Sequence, residues 1–365
     1  MNYNKAFKFR LYPNTEQEEL ITKTFGCVRF VYNKMLGEKI AHYNSCGELL
    51  LTTPAKYKAD FPWLKEVDSL ALANAQMNLE TAYKNFFRDK SIGYPKFKSR
   101  KNDRKSYTTN CINNNIRIED KCIKLPKLGL VKIKQHRIIP TDYKLKSATI
   151  SRSASGNYYV SVLFAYEEVE IKENAIKSII GLDFSMSELY ISSEGNKPDY
   201  PRFYRHSLKK LARMQRILSK MKKYSNNYYK QKRKIAKYHE HIANQRKDFL
   251  HKQSRQITNV YDCVAIEDLN MKAMSQALNF GKSVHDNGWG MFVTFLYYKL
   301  TEQGKRLIKI DKWFPSSKTC SDCGTVKKEL TLADRTYICD CGNILDRDVN
   351  IAINIKNEAL RLLAA

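Results

Sequence analysis

The sequence is short of acidic residues. It carries 37 Asp and Glu against 64 Lys and Arg in 365 residues, a formal charge of +27. A chain so unbalanced repels itself unless a polyanion is near, and nucleic acid is the usual one because each neutralised phosphate releases counterions. Long apolar runs are missing: nothing approaches the roughly 18 uninterrupted apolar residues of a spanning helix. The opening MNYNKAFKFR lacks the apolar segment of a secretory signal. The basic residues are spread along the chain instead of lining one amphipathic helix, which argues against an anionic membrane surface. No Gly-x-x-x-x-Gly-Lys-Ser/Thr loop occurs, so ATP use is not indicated. The expectation is a cytoplasmic protein with no membrane partner that works on nucleic acid at the nucleoid.

What is present begins with enough apolar content, 43%, to build real cores. The length points to two or three domains. Nine cysteines, an odd number in a reducing compartment, argue against a disulfide framework. Cys27, Cys46, Cys111, Cys122 and Cys263 are scattered and read as packing residues. Cys320, Cys323, Cys339 and Cys341 crowd into CSDCG…ICDCG, four thiolates across a short loop, which suits tetrahedral Zn²⁺. Gly324 and Gly342 follow the two pairs where the backbone must turn under the sulfurs. With no open position for water, such a zinc is structural.

Along the chain, residues 3–12 alternate as a strand. Thr15 with Glu18 makes a capping-box pattern for a helix whose apolar face is Leu20, Ile21, Phe25 and Val28. Helical patterns continue to about residue 88, with Leu72, Met77, Leu79, Tyr83 and Phe86 near helical spacing. Residues 88–108 read as a basic, aromatic-dotted loop, and 109–168 as short strands of a small β-barrel that could take 3–12 as its first strand. Residues 167–175 are an acidic break and candidate linker. Beyond it the pattern is a strand (IKSIIGLDF), a strand (ELYISSEG), a basic helical pair over about 203–258, a strand (DCVAIEDL), a helix near 289–303, a strand (RLIKIDKWF), the cysteine segment and a last helix over about 348–363.

Carboxylates end the apolar strands of this second half. Asp183 closes SIIGLDF, Glu267 closes VAIEDL, and Asp348 opens the last helix. A carboxylate at the end of a buried strand is costly unless a charge pairs with it. Each alone is most simply a strand-end or cap residue in an ion pair. More than eighty residues separate each from the next, so only the fold can bring them together. Converged, they would repel one another until divalent cations, Mg²⁺ or Mn²⁺, neutralise them. Two ions about 4 Å apart can activate a water and stabilise the leaving oxygen of a phosphodiester, as in the nuclease site of the ribonuclease-H-like fold. Asp268 should point to the opposite face of its strand. Asp346 lies where the last helix needs a cap.

Candidates for phosphate tracking are Lys96, Lys98 and Arg100 in the 88–108 loop, and Lys209, Lys210, Arg213, Lys222, Lys223 and Arg233 in the helical pair. Tyr94, Phe97 and Tyr107 are candidates for stacking on unpaired bases. His239-Glu-His241 reads as exposed helix, because positions i and i+2 do not share a face.

The segments KAFKFRLYPNTEQEELI, PWLKEVDSLALANAQMNLETAYKNFF, GLDFS, QRKDFLHKQSRQI, VAIEDLNM, HDNGWGMF, WFPSSKTCSDCG and CGNILDRDVNIAINI together resemble the TnpB (OrfB) family carried by insertion-sequence transposons, from about residue 3 to 357. The family is related to compact type V CRISPR effectors. The resemblance implies an RNA-guided DNA endonuclease: a guide RNA from the transposon end pairs with one target strand, and the protein reads a short flanking motif in the duplex. It implies a multi-domain α+β chain with a wedge-like barrel (1–12 and 105–170), an inserted helical recognition lobe (13–104), a RuvC nuclease domain (171–315 and 343–365) and an inserted zinc ribbon (316–342). The helix containing residues 69–74 would lie on the motif duplex. Asp183, Glu267 and Asp348 would be the catalytic, Mg²⁺- or Mn²⁺-binding acids, and the four crowded cysteines the zinc ligands. One chain would act per RNA complex. The second cysteine pair departs from many relatives, being CxC where they have CxxC. A compact CRISPR-associated effector and a nuclease-independent, RNA-guided DNA-binding repressor are the alternatives.

Overall fold

In the computed structural model, the structure describes residues 2–101, 105–167, 173–277, 281, 286–331 and 334–364. The chain divides into two compact units, with the boundary between residues 169 and 170. Most of the expected linker, residues 168–172, lies outside the described residues.

The first unit is a seven-stranded antiparallel sheet with helices. Its strands are β1 (Asn2–Tyr12), β2 (Lys105–Asn110), β3 (Arg117–Glu119), β4 (Cys122–Leu125), β5 (Gly129–Lys134), β6 (Lys144–Arg152) and β7 (Tyr158–Glu167), in the spatial order β2-β6-β7-β1-β5-β4-β3. β1 is central: it pairs along its length with β7 and passes to β5 over Arg10, Leu11 and Tyr12. Only residues 111–116 join β2 to β3, the two edges. A flat sheet would hold those edges about 29 Å apart, whereas that linker spans at most about 25 Å fully extended. It is not extended, because Asn115 N–H bonds back to the Ile112 carbonyl and Asn113 and Asn114 take left-handed φ. The sheet therefore curls, and Phe7, Phe9, Leu11, Tyr107, Ile123 and Val160 share one interior.

Between β1 and β2 run α1 (Thr15–Cys46) and α2 (Ser69–Arg88). They pack on each other through Val31, Tyr32, Met35 and Leu36 against Leu72, Ala75 and Leu79, with Tyr57 and Leu64 of the connecting segment completing that core. Several details differ from expectation. The capping box of α1 is Asn14 with Gln17, one residue earlier than Thr15 with Glu18, because Asn14 holds the extended backbone an N-cap needs and its side chain accepts from Gln17 N–H. Residues 105–108 are strand rather than loop. Tyr107 therefore points into the curled sheet, edge-on to Phe25, and is not available to stack on bases. Met77 lies on the outer side of α2 and is half exposed.

The second unit is a three-layer α/β/α arrangement. Its sheet contains β8 (Ile179–Phe184), β9 (Tyr190–Ser192), β10 (Cys263–Glu267) and β11 (Arg306–Ile310), in the order β11-β10-β8-β9. β8, β10 and β11 are parallel and β9 is antiparallel to β8. Parallel neighbours need long crossovers, supplied here by the hairpin of α3 (Phe203–Ser219) and α4 (Asn226–Val260), then by α5 (Met271–Ala277), which the sequence pattern had not indicated, and α6 (Trp289–Thr301). The even-numbered side chains Ile180, Leu182, Val264 and Ile266 pack on α4 and α6 through Leu250, Ile257, Trp289, Phe292 and Leu296. The other face receives α7 (Arg347–Ala364), whose Ile351, Ile355 and Ala359 meet Ala265 and Ile310. A short hairpin, β12 (Thr336–Ile338) with β13 (Ile344–Asp346), precedes α7. Among the described residues no helix is long and apolar enough to cross a membrane.

Candidate nuclease and metal centres

The carboxylate site follows from strand register. Leu182 pairs with Ile266 across parallel strands, so Asp183 and Glu267, one residue further on, stand side by side about 5 Å apart along the ladder and point to the same face. That face is the one α7 covers. The approach of α7 depends on Gly181, two residues before Asp183. A Cβ there would lie 2.8 Å from the Lys356 nitrogen and closer still to the Ala352 carbonyl oxygen. Only a residue without a side chain lets the helix backbone sit on the strand. From Ala352, one turn back along α7 reaches Asp348, a climb of about 6 Å. From Gly181, two residues along β8 reach Asp183, about 6.6 Å. The two displacements match, and Asp348 shares its helix stripe with Ala352 and Ile355.

The electrostatics report the same convergence. Asp183 is raised well above the usual carboxylate value, first by burial and then by the charges of Glu267 and Asp348, with Arg347 partly opposing. Glu267 is raised by burial, while the Ser316 hydroxyl that donates to it works the other way. Arg347 pairs with Asp348 at 3.3 Å. Among the described residues the three carboxylates do not place one oxygen each within a mutual 4.8 Å. Asp183, Glu267 and Asp348 would hold divalent cations, which would supply the charge that offsets their mutual repulsion. All three donors are oxygens, the chemistry that Mg²⁺ and Mn²⁺ take. Asp268 leaves on the opposite face and pairs with Lys309 at 2.9 Å. Asp346 caps α7, accepting from the N–H groups of Asp348 and Val349, and also binds Lys197.

Several contributors escaped the sequence reading. Ser316 and Gly181 lie inside segments singled out for resemblance, without a role. Asn287 donates to the carbonyls of Ser185 and Glu188 and so fixes the loop that leaves Asp183. Buried Asp286 beside it accepts from the N–H groups of Tyr204 and Arg205 at the start of α3. The Asp-Asn-Gly run at 286–288, inside a segment that carries the resemblance, was the available signal.

The four cysteines gather as one group, their sulfurs all within 4.8 Å. Cys320 and Cys341 Sγ atoms are 3.8 Å apart and those of Cys323 and Cys339 are 3.6 Å apart. Disulfides would need about 2 Å; sulfurs on the corners of a zinc tetrahedron with 2.3 Å bonds sit about 3.8 Å apart. The donor set and spacing therefore fit Zn²⁺. Burial works against ionising Cys320, yet the Asn343 amide and the N–H groups of Cys323 and Asp322 bring it down to about 6. The knuckle is tied to α7: Asn350 and Asn354, both buried, donate to the Thr319 carbonyl, Asn354 also to that of Ser316, and Asn350 accepts from Ser321 N–H.

The basic candidates are distributed over both units. Lys96 and Arg100 are exposed in the first. Lys98 folds back on α1, its ammonium 3.9 Å over the Tyr32 ring and its backbone paired with Asn33. In the second unit Lys209, Arg213 and Arg233 are exposed on the α3–α4 hairpin, Lys222 and Lys223 sit at its turn, and Lys210 lies over the Tyr238 ring at 4.6 Å. His239 and His241 are exposed on α4.

The architecture is that of a multi-unit, mixed α/β chain with a curled sheet, and it is shared with a solved structure titled "Cryo-EM structure of the Cas12f1-sgRNA-target DNA complex", at a TM-score of 0.60 and 12% identity over 98% of this chain and 99% of that one. Family profiles match residues 163–278 ("Probable transposase", OrfB_IS605), 289–355 ("Cas12f1-like, TNB domain") and 1–48 ("Helix-turn-helix domain"). The last segment is here a strand followed by one 32-residue helix. A Streptomyces pristinaespiralis protein named "Putative RNA-guided DNA endonuclease" is 36% identical, the match covering 96% of this chain and 88% of the relative. The Escherichia coli K12 protein "Putative RNA-guided DNA endonuclease InsQ" is 33% identical over 99% and 93%. The chain belongs to the OrfB (TnpB) family of transposon-encoded proteins.

Proposed function

We propose that this protein is an RNA-guided DNA endonuclease encoded by an insertion-sequence transposon, and that Asp183, Glu267 and Asp348 form its RuvC-type nuclease site. The observation that carries the reading is the side-by-side placement of Asp183 and Glu267 beneath α7, in a chain whose near full-length relatives carry that name. Two Mg²⁺ or Mn²⁺ ions held by the three acids would supply the charge that activates a water and steadies the leaving oxygen of a phosphodiester. The chain's own groups do the rest. Ser316 orients Glu267, Asn287 and the Gly181 contact hold Asp183 and Asp348 in register, and Arg347 balances Asp348. The four-cysteine knuckle would hold a structural zinc as an inserted ribbon. The curled sheet would serve as the wedge and α1 with α2 as the recognition lobe. Exposed lysines and arginines on both units would track guide and target phosphates.

The test is to express the protein with its flanking genomic DNA, sequence the RNA that copurifies, and challenge the preparation with a plasmid library of randomised flanks in Mg²⁺. One structured RNA with metal-dependent cutting, abolished by Asp183→Ala, is expected. RNA binding without cutting would make the protein a guided repressor. Absence of both RNA and cutting would overturn the reading.

A further inference from the structure

The last turn of α1 holds a group of metal-ligating side chains that the nuclease does not use. His42 and Cys46 are four residues apart on the helix and so share a face; Cys46 Sγ lies 3.3 Å from His42 Nε2. Gly47, at φ 73°, ends the helix in the left-handed conformation and turns the chain back. Lys39 then grips the Leu50 carbonyl at 2.7 Å, which folds the following segment against the helix end. This brings Glu48 to the same place: one ligand atom from each of His42, Cys46 and Glu48 falls within a mutual 4.8 Å. A nitrogen and a sulfur on one tetrahedral zinc are about 3.6 Å apart, close to the separation found. A helix C-terminus attracts cations, yet in a chain with 64 basic residues the last turn of α1 has none. The negative end of the helix is left for another cation.

We propose that the end of α1 is a second transition-metal site, in which His42, Cys46 and Glu48 bind Zn²⁺ and leave a fourth position for solvent or an outside donor. Imidazole and thiolate select zinc over Mg²⁺. On binding, the Cys46 thiol gives up its proton to solvent and its hydrogen bond to the His42 carbonyl, 3.1 Å away, and a sulfur–zinc bond forms in their place. With three protein ligands the site holds zinc more loosely than the four-cysteine knuckle. It would clamp the segment carrying the exposed Leu49 to the helix.

The experiment uses the full chain with zinc loaded at the knuckle, titrated with Co²⁺ while thiolate-to-cobalt absorption is followed. With excess Mg²⁺ present to fill the carboxylate site, wild type is expected to take one further equivalent of Co²⁺ with a thiolate band. Cys46→Ser should lose that band and His42→Ala should weaken binding at least tenfold, while all three proteins melt together in chelator. No band at saturating Co²⁺, or the same band in Cys46→Ser, overturns the proposal. Hydrogen exchange gives a second readout. Added zinc should slow exchange over residues 43–50 in wild type and not in Cys46→Ser, and equal rates with and without zinc in wild type would sink the idea.

Discussion

The cysteine knuckle and the carboxylate cluster both rest against α7 and are built in opposite ways. The knuckle gathers four ligands from one short stretch, and local turns alone can bring the sulfurs together. The carboxylates come from two parallel strands and a helix, and they meet only because β8, β10 and α7 pack in one register. In the knuckle, hydrogen bonds outweigh burial at Cys320 and lower Cys323 as well, while Cys339 and Cys341 are raised beside the other thiols. The carboxylates have burial and mutual repulsion that disfavour their charged form. A local site is held by its own turns; a site assembled by the fold carries the cost of its crowded, buried carboxylates in the fold.

That contrast can be broken most sharply at Asp183. Asp183→Asn should cut cleavage by about 10³-fold or more while RNA and DNA binding persist. In chelator it should also melt higher than wild type. The sign follows from the raised value: protonated Asp183 favours the folded state at pH below its ordinary 3.8, and that advantage is lost as pH rises through its higher folded value. Wild type should therefore lose stability as pH rises above about 4 and through the raised folded value, and Asp183→Asn should flatten that slope in melting curves. Equal slopes would mean that the acids do not meet.

Gly181→Ala comes next. The added methyl meets helix backbone that cannot turn away, so a loss of about 3 kcal/mol is expected in denaturant titration, with cleavage falling and knuckle zinc retained. Cys339→Ser should do the reverse. Zinc that survives gel filtration falls from one per chain to none, the sheet's own melting changes little, and cleavage drops about tenfold because residues 316–321 lose their anchor at one end. If cleavage is unaffected, the stitching by Asn350 and Asn354 is enough by itself. The smallest effect is expected at Ser316→Ala, about 1 kcal/mol or roughly fivefold in cleavage. Without the hydroxyl donor Glu267 rises further, so the acidic limb of the pH–rate profile should move to higher pH.

The same contrast explains what could be read in the sequence. Cys320, Cys323, Cys339 and Cys341 announce themselves by spacing, and the strands ending in Asp183 and Glu267 by apolar runs. Strand register and the role of Gly181 do not appear in any window of sequence, because they are properties of a pairing between segments eighty residues apart. Tyr107 was misplaced for a related reason: KSY looks like the tail of a basic loop until β6 is there to pair with it. The cap of α1 slipped by one residue because Asn14 and Thr15 offer competing oxygens and only the backbone angles choose between them.

The dependence of the site on α7 also sets a clock. A ribosome adds about 5–20 residues per second, so roughly 10–30 s pass between the appearance of Asp183 and that of Asp348. By the later part of that interval the nascent chain carries α3, α4 and Glu267 beside Asp183, but the third acid and the helix that covers the pair are still unmade. If the three acids are the nuclease site, the helix that lies on Gly181 would act as a safety interlock, completing the site only after the basic helices have been made.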